Sequence, residues 1–172
     1  MGYLERDNRV SRGMRLTDKV NQVVQAGNTL HIPILGPIAA GIPLPELEPG
    51  ASYIADNEAD AVATARTLLP SKEKGDNLYA LRVQGDSMID AMINDGDIVV
   101  MKQANEARNG EMVAVWLPNN NEATLKYFFK EKDRYRLQPA NPTMKPIYVG
   151  KNEPLEIKGK VVMVIRKVDR RM

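Results

Sequence analysis

The chain has 172 residues and a mass of 19.2 kDa, room for one ordinary domain with a tail. Its 43% hydrophobic and 27% charged residues suit a globular protein, and 24 basic against 22 acidic side chains leave a formal net charge of +2, too even to point to nucleic acid through bulk charge. The absence of cysteine excludes disulfides, thiolate metal sites, iron–sulfur clusters and cysteine nucleophiles; the single histidine, His31, excludes multi-histidine metal sites, so no metal or cofactor is expected.

Residues 1–16 read as a β-hairpin. Tyr3-Leu4-Glu5-Arg6 and Met14-Arg15-Leu16 are short alternating runs, with Asp7-Asn8 and Ser11-Arg12-Gly13 as turn formers. Residues 17–31 carry the cluster Val20, Val23 and Val24 and then Gly27-Asn28; they read as a linker, with a short helix as the alternative. From residue 32 proline and glycine punctuate short apolar runs. A helix is predicted over 57–69, with Asn57 as N-cap, acids in the first turn, an alanine-rich interior and Pro70 as the stop. Strand-like segments follow at 78–84, 97–102, 111–117, 122–129, 134–139, 147–149 and 155–168. Turn signals separate them, among them Asn94-Asp95-Gly96, Asn119-Asn120-Asn121 and Asn109-Gly110, the last a strong hairpin signal. The fold class is therefore mainly β, with antiparallel strands in a sandwich or barrel-like arrangement. No apolar run approaches the roughly 18 residues needed to cross a bilayer. The charged N-terminus lacks the apolar core of a signal peptide, so the expectation is a cytoplasmic protein without a membrane partner.

Three features bear on chemistry. Ser87, in Val83-Gln84-Gly85-Asp86-Ser87-Met88, follows the end of a strand, where Gly85 permits positive φ and a sharp turn that projects the next side chain. Backbone N–H groups at such a turn can form an oxyanion hole. Taken alone, a turn-forming serine is the simpler reading. A nucleophilic serine needs a base, which is either His31 or a lysine kept neutral by burial. Lys126, in Ala123-Thr124-Leu125-Lys126-Tyr127-Phe128-Phe129, lies in the most apolar setting of any lysine in the predicted strands. Taken alone it reads as a surface lysine whose stem packs on the sheet. Ile38-Ala39-Ala40-Gly41-Ile42-Pro43 is slim enough to enter a narrow cleft as an extended strand, and taken alone reads as a linker.

Together, and in this order, these features resemble the LexA repressor family of self-cleaving serine–lysine proteases. The resemblance runs from about residue 32 to 168. It rests on Ala-Ala-Gly at 39–41, Leu-Arg-Val-x-Gly-Asp-Ser-Met at 81–88, Asn-Asp-Gly-Asp at 94–97 and Arg-Asn-Gly-Glu at 108–111. It continues through Thr-Leu-Lys at 124–126, Gln-Pro-Ala-Asn-Pro at 138–142 and Val-Ile-Arg at 164–166. Each piece is weak by itself; the ordered set is specific and reverses the three simpler readings.

The resemblance implies a β catalytic core like that of signal peptidases, Ser87 as nucleophile, Lys126 as general base and Ala40–Gly41 as the scissile bond. It also implies the backbone amides of Asp86 and Ser87 as oxyanion donors, Ile38 as the anchor of a cleavage loop at 36–45, and a dimer contact through Val161–Lys167. Residues 1–16 then look like the remnant of a winged helix-turn-helix DNA-binding domain, 17–31 the linker, and 32–172 the autoproteolytic and dimerisation domain. The implied function is an SOS-response repressor that cleaves itself when stimulated by RecA–single-stranded DNA filaments. The implied partners are a second copy of the chain, that filament and, only in a form with the complete N-terminal domain, operator DNA. The alternatives are a UmuD-like accessory of a translesion polymerase and a non-enzymatic dimeric binding module.

Overall fold

The computed structural model describes residues 28–39, 41–46, 61–70 and 77–168, together with the backbone of two short strands nearer the N-terminus. These two, β1 (Leu4–Arg6) and β2 (Met14–Leu16), pair antiparallel with Leu4 opposite Leu16 and Arg6 opposite Met14, as the hairpin reading requires. The remaining described strands make one mixed sheet. They are β3 (Thr29–Ile38), β4 (Ala61–Ala65), β5 (Leu78–Val83), β6 (Ile98–Gln103), β7 (Met112–Leu117), β8 (Glu122–Lys130), β9 (Arg134–Gln138), β10 (Ile147–Gly150) and β11 (Glu156–Ile165). Their order across the sheet is β10-β9-β8-β7-β11-β6-β5-β3-β4. The mainly-β expectation holds, and each strand predicted after residue 78 forms within three residues of its expected ends. No helix among the described residues is long and apolar enough to cross a membrane.

The central strands carry apolar side chains on both faces, so alternation sorts them between cores rather than between core and water. Tyr79, Leu81 and Val83 of β5 join Val99 and Met101 of β6 in one cluster, while Leu78 and Ala80 join Ile98 and Val100 in another. Val113, Val115 and Leu117 of β7 build a third with Phe128, Leu137 and Val149. Gly159 in β11 marks a close approach: a Cβ there would stand 2.4 Å from the Tyr79 hydroxyl and 2.8 Å from the Lys102 carbonyl oxygen.

Four features depart from the sequence reading. The helix predicted over 57–69 is wrong in its described part. Ala61–Ala65 is strand β4, hydrogen-bonded antiparallel to β3 with Val62 opposite Ile32, and Arg66–Leu68 is a single 3-10 turn. Helix propensity of alanine is a weak preference, and here pairing wins: Val62 and Thr64 turn inward while Ala63 faces solvent, a period of two. Residues 57–60 lie outside the described residues. Secondly, a continuous strand, β3, spans residues whose proline and glycine punctuation suggests only short apolar runs; Pro33 and Pro37 are accommodated in a strand near the sheet edge. It begins at Thr29, inside the segment read as linker, whose residues 17–27 lie outside the described residues. Thirdly, β3 and β5 run parallel, so the sheet is not purely antiparallel.

Fourthly, Asn109-Gly110 does not join a hairpin, because β11 lies between β6 and β7. The turn instead closes the β7–β8 ladder: Gly110 N–H donates to the Phe128 carbonyl at 2.8 Å, and Asn109 Oδ1 accepts from Lys130 N–H at 2.7 Å.

The parallel pair positions the site. In a parallel ladder both chains leave the sheet at the same end. Ile38 is opposite Val83, and Gln84 N–H donates to the Ile38 carbonyl at 3.3 Å. The segment containing Ala39 and Gly41 and the segment containing Ser87 therefore start side by side. The sheet also curls, so that β8, separated from β5 by β7, β11 and β6, packs back against β3.

Candidate active site

Ser87 lies four residues beyond β5, in a turn that Gly85 makes possible. Gly85 has φ +92°, a region open to glycine, and no atom crowds the place a Cβ would take, so its constraint is backbone conformation rather than space. Three contacts outside the turn hold it. Asp95 Oδ1 accepts from Gly85 N–H at 2.8 Å, Asn141 Nδ2 donates to the Asp86 carbonyl at 3.0 Å, and Asp90 N–H donates to the Ala140 carbonyl at 2.7 Å. Beyond Ser87 the chain makes a 3-10 turn, Ile89–Ala91, with Met88 buried beneath it.

Lys126 comes from β8, opposite Val113 of β7, and is only 7% exposed. Its Nζ lies 3.0 Å from Ser87 Oγ, 2.5 Å from Thr124 Oγ1 and 3.1 Å from the Leu125 carbonyl oxygen. Among the described residues no carboxylate is hydrogen-bonded to it. Burial removes water that would solvate an ammonium and lowers its pKa from 10.5 to about 8, with Glu122 pulling weakly the other way. At that value roughly a tenth of the amine is unprotonated at pH 7, against a few parts in ten thousand for an ordinary lysine.

The three neighbours suit both protonation states. An ammonium has three N–H donors and finds three oxygens. A neutral amine has two donors and one lone pair; Thr124 Oγ1 and the Leu125 carbonyl accept the two, and the lone pair faces the Ser87 hydroxyl as acceptor.

Both residues line a cleft of about 410 Å³, with Ile38, Ala39, Val83, Met88, Leu125 and Met144 among its walls. Ile38 and Leu44 are buried in the same core cluster, while Gly41, Ile42 and Pro43 between them are exposed. Ala39 lines the cleft, and its carbonyl accepts from Ile42 N–H at 3.3 Å. Gly41, at φ +78°, is exposed and is not among the lining residues; Ala40 lies outside the described residues. Among the described residues no acceptor engages the N–H of Asp86 or of Ser87. His31, the other candidate base, is exposed on β3 and is not part of the cleft.

Sequence reasoning singled out Ser87, Lys126, Ile38 and the Ala39–Gly41 segment. It missed Thr124 as a partner of the amine and Asn141 as a partner of the serine turn, although both stand within the quoted Thr-Leu-Lys and Gln-Pro-Ala-Asn-Pro motifs. A hydrogen bond across 55 residues of sequence leaves no periodic signal.

A family model described as Peptidase S24-like matches residues 33–162. Over 169 residues the chain is 44% identical to the LexA repressor of Roseiflexus sp., a match covering 97% of this chain and 74% of that protein. It is 40% identical over 167 residues to the LexA repressor of Herpetosiphon aurantiacus, covering 97% and 75%. It is 37% identical over 168 residues to that of Staphylococcus carnosus, covering 97% and 74%. A serine and a buried amine in one cleft, on a mainly β core matched in this way, lead to one assignment: the chain belongs to the LexA repressor family, SOS-response repressors with a self-cleaving serine peptidase domain of the S24 type.

Proposed function

We propose that the chain cleaves its own Ala40–Gly41 bond with Ser87 as nucleophile and the neutral amine of Lys126 as general base. The observation that carries this is the 3.0 Å approach of Lys126 Nζ to Ser87 Oγ with the amine buried and hydrogen-bonded only to neutral oxygens among the described residues. Lys126 takes the hydroxyl proton as Ser87 Oγ attacks the Ala40 carbonyl carbon. The oxyanion is received by the backbone amides of Ser87 and Asp86. The ammonium then protonates the Gly41 nitrogen as the C–N bond breaks, and water, deprotonated by the same amine, releases the acyl group from Ser87. Thr124 holds the amine in place. Because the target belongs to the same chain, attack is intramolecular and gains from high effective molarity.

The domain division goes with this. Residues 1–16 are the remnant of a winged helix-turn-helix unit that reads operator DNA only in a form with the complete N-terminal domain, 17–31 link it, and 32–172 form the autoproteolytic and dimerisation domain with its cleavage loop at 36–45. Stimulation by RecA filaments acts by favouring the docked loop, a shift between two states of one chain. The second copy pairs through β11. Its residues beyond Lys160 have β6 on one edge, while the β7 ladder on the other stops at Lys160. The match to LexA repressors extends over 97% of the chain, which favours the repressor over a UmuD-like accessory.

Incubation at about pH 10 should yield fragments 1–40 and 41–172, with first-order kinetics independent of protein concentration. Ser87→Ala and Lys126→Ala should each lower the rate by at least about 10³-fold. A mass spectrum showing the same fragments from Ser87→Ala would overturn the dyad.

A further inference from the structure

We propose that Asn141 is a positioning residue for the nucleophile turn: by holding the Asp86 carbonyl it fixes the direction of the Ser87 N–H, the amide that meets the oxyanion. The inference deepens the self-cleavage reading and rests on it.

Asn141 is polar yet only 8% exposed, and every polar atom of its carboxamide that the structure engages is engaged in one sense. Oδ1 accepts from Thr143 N–H at 2.9 Å and from the Thr143 hydroxyl at 2.8 Å. A backbone N–H can only donate, so Oδ1 must face Thr143 and Nδ2 must face the serine turn. There Nδ2 donates to the Asp86 carbonyl, whose second donor is Ile89 N–H at 3.2 Å. Both lone pairs of that carbonyl are thus committed.

The Asp86 carbonyl and the Ser87 N–H belong to one peptide unit, which is planar and trans, so the two bonds point in opposite directions. Fixing the carbonyl toward Asn141 fixes the N–H away from it. The same loop takes a second grip one turn later, where the Ala140 carbonyl accepts from Asp90 N–H. Ser87 is therefore bracketed by two bonds to Ala140–Asn141, and its own amide is left without an acceptor among the described residues. An unpartnered donor held rigidly beside a nucleophile is what stabilisation of a developing oxyanion requires, since no reorganisation is needed as charge appears. Asn141 touches none of the reacting atoms; its effect passes through the peptide plane.

The test follows self-cleavage of the full chain across pH. Asn141→Asp keeps an acceptor for Thr143 but offers no donor to Asp86, and Asn141→Ala removes both. In each the limiting rate at high pH should fall on the order of 10²-fold, while in Asn141→Ala, which adds no charge near Lys126, the pH midpoint of the rate stays at the parent value. At pH 6, where the amine is protonated and cleavage is slow, the Ser87 amide resonance should move in both variants. Thr143→Val removes one of the two bonds that orient the carboxamide; it should slow cleavage severalfold, and it decides the matter if both Asn141 variants fail to fold. A folded Asn141→Asp cleaving within threefold of the parent overturns the proposal. So does a rate loss in Asn141→Ala that comes with a shifted midpoint, or a Thr143→Val protein at parental rate when the Asn141 variants do not fold. Cleavage surviving in Ser87→Ala would instead remove the dyad itself, whereas an inert Ser87→Ala beside an unimpaired Asn141→Asp removes only the role of Asn141.

Discussion

Two buried ionisable groups flank the nucleophile turn, and the fold treats them oppositely. Asp97, 2% exposed, follows the Asn94–Gly96 turn at the entrance to β6. Arg166 reaches it with Nε on Oδ1 at 2.7 Å and a terminal nitrogen on Oδ2 at 2.6 Å, and Asn94 N–H adds a bond at 2.8 Å. The Arg166 hydrogen bond holds the Asp97 carboxyl below its ordinary pKa despite burial. Lys126 is comparably buried and is given only neutral oxygens, and its pKa falls to about 8. Burial alone therefore does not decide ionisation; the partner does. An ionic partner makes a structural clamp, and withholding one makes a base.

That contrast is open to attack from either side. The largest expected effect on stability is at the clamp. Arg166→Ala leaves a buried carboxylate with a single hydrogen bond from Asn94 and should lower stability in denaturant unfolding. The loss should shrink in acid. A carboxyl with a depressed folded pKa contributes stability above its unfolded pKa and loses it as pH falls through the folded value.

Lys126→Met should do the reverse. The folded pKa lies about 2.5 below the unfolded one, so burial of the ammonium opposes folding by about 3 kcal/mol near neutral pH. The unfolded chain binds the extra proton between pH 8 and 10.5, so stability should rise with pH across that window. Removing the amine while retaining its bulk should stabilise the protein by about 2 kcal/mol at pH 7, less than the full penalty because Thr124 and the Leu125 carbonyl lose a donor. It should also abolish cleavage. Unchanged stability would mean that the amine is better solvated than its position implies.

The smallest effect is at Glu122, whose charge raises the Lys126 pKa. Glu122→Gln should move the midpoint of the cleavage rate down, with the limiting rate unaltered. An upward move would show that the carboxylate does not act on this amine through its charge.

Much of this was legible in the sequence. The strands after residue 78 announce themselves through runs such as Asp97-Ile-Val-Val-Met-Lys102 and Glu111-Met-Val-Ala-Val-Trp-Leu117, bounded by Asn and Gly. Ser87 and Lys126 were legible because a glycine-turned serine and an isolated lysine in an apolar strand are chemically odd. What escaped depends on pairing between distant segments. Ala61–Ala65 has helical propensity and a strand's neighbours, and only β3 beside it settles the matter. β3 was hidden because two prolines interrupt its pattern, and its parallel pairing with β5 leaves no turn signature of the kind a hairpin does. Asn109-Gly110 has the composition of a hairpin turn, yet the strand that would have completed the hairpin is displaced by β11, more than 40 residues later in the chain. Asn141 escaped for the same reason, since its partner is the backbone of a residue on another loop.

Heteronuclear NMR of the Lys126 side chain in the Ser87→Ala protein, which cannot consume itself, reads the protonation of this amine directly. A titration midpoint near 8 is predicted. A midpoint at the ordinary lysine value of about 10.5 would show an amine still charged at neutral pH and would contradict the account.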